Sequence, residues 1–352
     1  MNKIFKITII MLLTAAFMGC EDLLDREPLD IISDEAVWSD PDLILGNLLG
    51  MYDKAPTRRD FHGGFPWGGA WDDGNAEGAH EPGFYTTYSD EARAGYNWVG
   101  SINNNLNGLD RSNNELSYWN YDLIRDCNVL ITRIDNGNLD DAKREQFKGE
   151  ARFIRALVYF ELVKRYGGVP LITVVQDQTT PLDELYPERN KEKEIYDFII
   201  DECNDIAGYL PDRNQVGRAD KYTALALLSR AALYAGSIAK YGTVQLDGLL
   251  GIDANPDTYF QKSLDASNTI VSEGGYALYE RYDDKAENYR QLFLDDNNAE
   301  VILSGHSMVF PKGIASIILM YCRVMALVGG RMCNRRSIWS MRMIMSMVAT
   351  GL

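Results

Sequence analysis

The stretch GEARFIRALVYFELVKRYGGVPLI, Gly149 to Ile172, decides the fold. With the residues before it, it predicts one long helix over about Asp141 to Tyr166. Two apolar stripes run along that helix at helical spacing. Phe147, Ala151, Ile154, Val158 and Leu162 form one; Phe153, Leu157 and Phe160 form the other. A helix apolar on two sides packs between two neighbours, as in stacked helix pairs. Gly167-Gly168, with Pro170 just beyond, is the expected C-terminal punctuation.

The same period extends on both sides. Upstream, Tyr121, Ile124, Asn128, Ile131 and Asp135 mark one line of a helix, and Leu123, Cys127, Leu130 and Ile134 its apolar neighbour. Downstream, a linker with Pro181 and Pro187 leads to a helix over about Lys191 to Leu210, ended by Pro211. An alanine-rich helix over Arg218 to Ala239 follows, whose Ala219, Ala226, Ala231 and Ala235 permit close approach. A further helix runs near Pro256 to Ser272, and Ala299 to Gly305 reads as a short strand. Near the N-terminus, Asp34 to Lys54 is predicted helical, with Ser33 able to cap it. The fold class is therefore all-α, with helix pairs recurring at roughly 30–40 residues. That period fits tetratricopeptide-like hairpins and a generic helical bundle equally.

Residues 61–110 break the pattern. They hold ten of the thirty glycines and an Asn-rich stretch at 103–107, and read as long irregular loops. Loops of that length are functional or disordered. Disorder fits badly, because residues 61–121 contain twelve Phe, Tyr or Trp, about twice the density of the whole chain.

The N-terminus reads as an export signal. Lys3 and Lys6 precede the apolar run Ile7 to Phe17, too short to span a bilayer, which ends in Phe17-Met18-Gly19-Cys20. A small residue directly before a cysteine at the end of such a run is what a lipoprotein signal peptidase reads. Residues 1–19 are then the signal peptide and Cys20 the lipidation site, where more than one acyl chain gives a stable anchor. The competing reading is an ordinary signal peptide with an incidental Cys20.

Composition narrows the function. Three histidines, at 62, 80 and 306, argue against histidine-based hydrolysis, and no CxxC spacing suggests zinc. Cys127 and Cys203 fall on apolar helix lines and read as small core residues. Asp253-Ala-Asn255-Pro-Asp257 opens like a calcium loop but lacks Gly at the sixth position and Glu at the twelfth, so it reads as a turn and helix start. Neither metal nor cofactor is expected. The net charge is −16, and residues 311–352 hold six basic and no acidic side chains, leaving 29 basic against 51 acidic before them. Such an acidic body repels nucleic acid and anionic lipid, and leaves uncharged sugars compatible.

Residues Gly149 to Ile172, the YWNYDLIRDCNVLITRID helix, GRADKYTALALLSRAALYAGS and the lipobox at Cys20 followed by acidic residues occur here in one order. In that order they resemble the SusD/RagB family of outer-membrane nutrient-binding lipoproteins, from Cys20 to about Gly305. Asp220 and Tyr222 stand where the family more often has Thr and Gly. The resemblance implies tetratricopeptide-like units carrying an irregular binding region. It implies further a lipid anchor on the outer membrane facing outside, glycan or other nutrient binding without chemistry, and a SusC-like TonB-dependent transporter as partner. The membrane is then met through the anchor only, and nucleic acid not at all.

Family members usually continue for a couple of hundred residues more, so residues 20–310 read as an incomplete, truncated SusD-like domain. Residues 311–352 hold seven of the twelve methionines and no carboxylate. They read as an aberrant tail from a shifted frame; the alternative, a membrane segment over Ile314 to Val328, is short and carries Arg323.

A glycan site needs aromatic platforms beside amides and carboxylates, because a sugar offers both C–H faces and hydroxyls. Trp67, Trp71, Asp72, Tyr85, Tyr88, Tyr96, Asn97 and Trp98 supply that mixture. The competing reading is that these aromatics pack the loops onto the helices. Two other functions stay open: a helical-repeat scaffold that assembles envelope proteins without binding glycan, and a carboxylate glycosidase.

Overall fold

Proline breaks the first predicted helix in two. Pro41 has no N–H to donate and restricts Asp40 to an extended backbone, φ −113° and ψ 116°. Asp40 becomes a cap, accepting from the Asp42 N–H at 2.8 Å. The computed structural model, which describes residues 34–56, 118–295 and 298–303, therefore has α1 (Asp34–Ser39) and α2 (Pro41–Lys54) in place of one helix. Ile44, Leu48 and Met51 form the buried line of α2.

The remaining helices are α3 (Tyr121–Arg133), α4 (Asp141–Tyr166), the single turn α5 (Leu182–Leu185), α6 (Glu192–Ile206), α7 (Lys221–Tyr241), α8 (Pro256–Glu273) and α9 (Lys285–Leu292). Most boundaries follow from capping. Asn120, Asp140, Asp220 and Asn255 each accept a backbone N–H from the first turn of α3, α4, α7 and α8. Asp220 explains why α7 starts at Lys221 and not at Arg218. At the other end of α4, Gly167 takes φ +66°, and a Cβ there would meet the Leu249 carbonyl oxygen at 2.3 Å.

Packing follows chain order. α3 lies on α4, α4 on α6, α6 on α7 and α7 on α8, while α2 touches both α3 and α4. Each of α3, α4, α6 and α7 thus meets the longer helix before it and the one after it, the arrangement of stacked helix pairs. α4 sits in the middle, and all eight residues of its two apolar stripes are buried. Small residues set the closest approach further on. A Cβ on Gly236 would lie 2.7 Å from the Phe260 ring, so α7 and α8 nearly touch there.

Cys127 and Cys203 are free and buried within this core, and burial pushes the Cys127 thiol up to about 12. The strand expected at Ala299 to Gly305 is not one over its described part, 299–303. Those residues form turns with one backbone bond to a neighbouring segment, Ala277 N–H to Ala299 carbonyl at 3.2 Å. A lone bond builds no ladder. Among the described residues no helix is long and apolar enough to cross a membrane. Ser33, the signal peptide, Cys20, the loops of 61–110 and the tail 311–352 lie outside the described residues.

Candidate functional site

All eight sequence candidates, Trp67, Trp71, Asp72, Tyr85, Tyr88, Tyr96, Asn97 and Trp98, also lie outside the described residues, as do the three histidines. The described structure gives the two places where that aromatic-rich stretch joins the helices. The first is the end of α2, and the second is the start of α3.

At the end of α2, Ala55 is buried and Tyr52 anchors the helix. The Tyr52 hydroxyl donates to Glu150 Oε2 and accepts from the Ala219 N–H, both at 2.8 Å. Burial first, then the adjacent Glu150 charge, raises that phenol well above its ordinary range. Glu150, on α4, is fully buried and gripped by Arg218 in a two-point pair, Nε to Oε2 at 2.9 Å and Nη2 to Oε1 at 2.7 Å. Gln146 and Asn214 each donate to Glu150 Oε1 at 3.0 Å. One carboxylate therefore ties α2, α4 and the turn before α7.

At the start of α3, four consecutive residues, Tyr118-Trp119-Asn120-Tyr121, are fixed in different ways. The Tyr118 N–H donates to the Tyr166 hydroxyl at 2.9 Å, and the Arg165 guanidinium lies over the Tyr118 ring. Asn120 caps α3. The Tyr121 hydroxyl donates to the Pro170 carbonyl at 2.7 Å, and burial raises its pKa. Trp119 alone faces outward, 57% exposed. Its ring centroid is 5.0 Å from that of Tyr121 and 5.2 Å from that of Tyr166, nearly perpendicular to the latter. An indole left this open forgoes roughly 2–3 kcal/mol of apolar burial. Trp119 is an exposed, braced aromatic that is not among the sequence candidates. The available signal was the pair of aromatics, Tyr118 and Trp119, directly before the helix cap Asn120.

A second buried network holds the 167–176 segment against α3 and α4. Arg152 and Arg155 both reach Glu202 on α6, at 2.7 and 2.8 Å. Arg155 also donates to Asn128 Oδ1, whose amide donates to the Ile172 and Val174 carbonyls. Burial pushes the Glu202 carboxyl upward, but the Arg152 hydrogen bonds and the Arg155 charge outweigh it and hold it below the usual carboxylate range. Every carboxylate and guanidinium here has a structural partner.

Among the described residues no group of His, Cys, Asp and Glu is placed to hold a metal ion. The Asp253 to Asp257 stretch is a turn in which Asn255 Oδ1 accepts from the Asp257 N–H at 3.0 Å, opening α8.

A family model named SusD-like and described as "Starch-binding associating with outer membrane" matches residues 70–233. The SusD-like protein P38 of Formosa agariphila is 27% identical over 239 residues, covering 66% of this chain and 42% of that protein. A SusD-like protein of Bacteroides ovatus is 23% identical over 234 residues, covering 65% of this chain and 39% of its own. Among solved structures, a SusD-like protein from Bacteroides fragilis superposes with a TM-score of 0.51 at 23% identity, over 80% of this chain and 48% of the other. The chain thus spans about two fifths of the length of these curated relatives.

Proposed function

We propose that this chain, which is similar to SusD-like proteins, binds a glycan or a similar nutrient at the outer membrane and passes it to a SusC-like TonB-dependent transporter. The observation that carries the reading is where the family match falls. It begins at residue 70 and so takes in seven of the eight candidate ligand residues, Trp71 to Trp98, along with α3, α4 and α6. Most of the aromatic-rich stretch and the helices that follow it in sequence therefore fall within one family match, described as starch-binding.

The role is binding without catalysis. Within the described residues Glu150 and Glu202 are committed to Arg partners that tie helices together, Glu161 to Lys164 and Arg165 on its own helix, and Glu192 and Asp220 to the backbone N–H groups of Gly251 and Thr223. A glycosidase would instead need two carboxyls facing one open cleft. Attachment through lipid on Cys20, facing outward, completes the proposal, since the family is described as associating with the outer membrane.

The test has two arms. Glycan-array screening of the full chain, followed by calorimetry on the hits, is expected to find at least one neutral oligosaccharide bound and recovered intact. Co-purification with a TonB-dependent barrel encoded beside it is expected as well. Capture of a barrel with no glycan bound would favour the scaffold reading, and release of shortened glycan would favour the enzyme.

A further inference from the structure

We propose that the exposed indole of Trp119 is a sugar-stacking platform, which takes the apolar C–H face of a pyranose ring in a neutral glycan. This rests on the glycan-binding reading above and adds a residue that reading does not contain.

Three features of the described structure support it. The first is exposure: of the two described tryptophans, Trp38 is buried and Trp119 is 57% exposed. The second is rigidity. Tyr121 and Tyr166 flank the indole at 5.0 and 5.2 Å, and each is itself held. Tyr121 donates to the Pro170 carbonyl at 2.7 Å, and the Tyr166 hydroxyl accepts the Tyr118 N–H at 2.9 Å. Arg189 adds bonds of 2.7 Å to the Tyr166 and Gly168 carbonyls, so the corner beneath the ring is fixed from both sides. An aromatic surface already ordered before binding loses little freedom when a ligand stacks on it.

The third feature is the polarity of the surroundings. Asn120 and the exposed Asp122 adjoin Trp119 along the chain, and Arg165 and Arg189 lie on the same corner through Tyr118 and Tyr166. A protein or lipid partner would be met by a contiguous apolar patch. A flat exposed ring braced by Tyr121 and Tyr166, with Asn120 and Asp122 near it in the chain, suits a molecule that is apolar on one face and hydroxylated at its edges. Charges of both signs at the corner favour no ionic ligand, which leaves a neutral sugar.

The experiment takes a glycan that the wild-type chain binds on an array and titrates it calorimetrically into wild type, Trp119→Ala and Trp119→Phe. Loss of the ring is expected to weaken binding by about tenfold or more, while Phe stays within about threefold of wild type. Unchanged affinity in a folded Trp119→Ala would overturn the platform and leave the glycan reading intact. If the alanine variant does not fold, fluorine-labelled tryptophan replaces it. The resonance missing from Trp119→Phe identifies Trp119 and is expected to shift when the glycan is added to wild type; no shift overturns the proposal. A wild-type chain that binds no glycan at all sinks both readings together.

Discussion

Glu150 is a carboxylate with no exposed surface, and Arg218 is what makes that position tolerable. Removing one partner of a buried pair leaves the other uncompensated. Arg218→Met is therefore expected to cost about 3–5 kcal/mol in urea unfolding; a loss under about 1 kcal/mol would contradict the network. Glu150→Gln added to that variant should restore part of the loss, because an amide is cheaper to bury than an unpaired charge. Glu202 gives a pH prediction. Its folded-state pKa is depressed, so the stabilisation is present above the unfolded carboxyl value, near ~4.3, and disappears as pH falls through the lower folded value. Glu202→Gln should flatten the acid limb of the stability curve below about pH 4, and an unchanged limb would contradict the assignment. Neither pairing was legible in the sequence. Residues 150 and 218 are 68 apart, and an acidic chain offers many equivalent carboxylates. Trp119 escaped for a related reason. The residue type was visible, but exposure is a property of the fold.

Helices were the legible elements, and α4 most of all, because its two stripes encode both its period and its central position. Punctuation was read less well. Asp40-Pro41 is as clear a cap-and-proline start as Gly167-Gly168 is a stop, yet the sequence reading ran one helix across it from Asp34 to Lys54. Ala299 to Leu303 has strand-like composition, but strand identity needs a partner ladder, which no local pattern supplies. Close approach was legible only as a class of residue: alanines marked α7 as crowded, while Gly236 is the position that the α7–α8 contact depends on. Gly236→Val should destabilise by about 1–3 kcal/mol through collision with Phe260, measured by thermal or urea unfolding. A neutral substitution would mean that the helices stand further apart than described.

For the molecule as a whole, the sequence carried the helical architecture and the family resemblance, and left the ligand site as a set of candidates. Periodic apolar burial fixes helices relative to one another, whereas the aromatic-rich sequence between α2 and α3 follows no period that could place its side chains. The same holds for anchoring. Read as an export address, the apolar run before Gly19-Cys20 encodes no shape, so Cys20→Ala is the direct check of the proposed lipid site. It should abolish incorporation of labelled palmitate, and undiminished labelling would reject Cys20 as the lipid site. The central claim, a glycan-binding SusD-like chain, is tested most directly by calorimetric titration of the purified full chain with oligosaccharides chosen from an array screen. Saturable binding of a neutral oligosaccharide, recovered chemically unchanged, is expected. No binding across the array, or recovery of cleaved sugar, would contradict it.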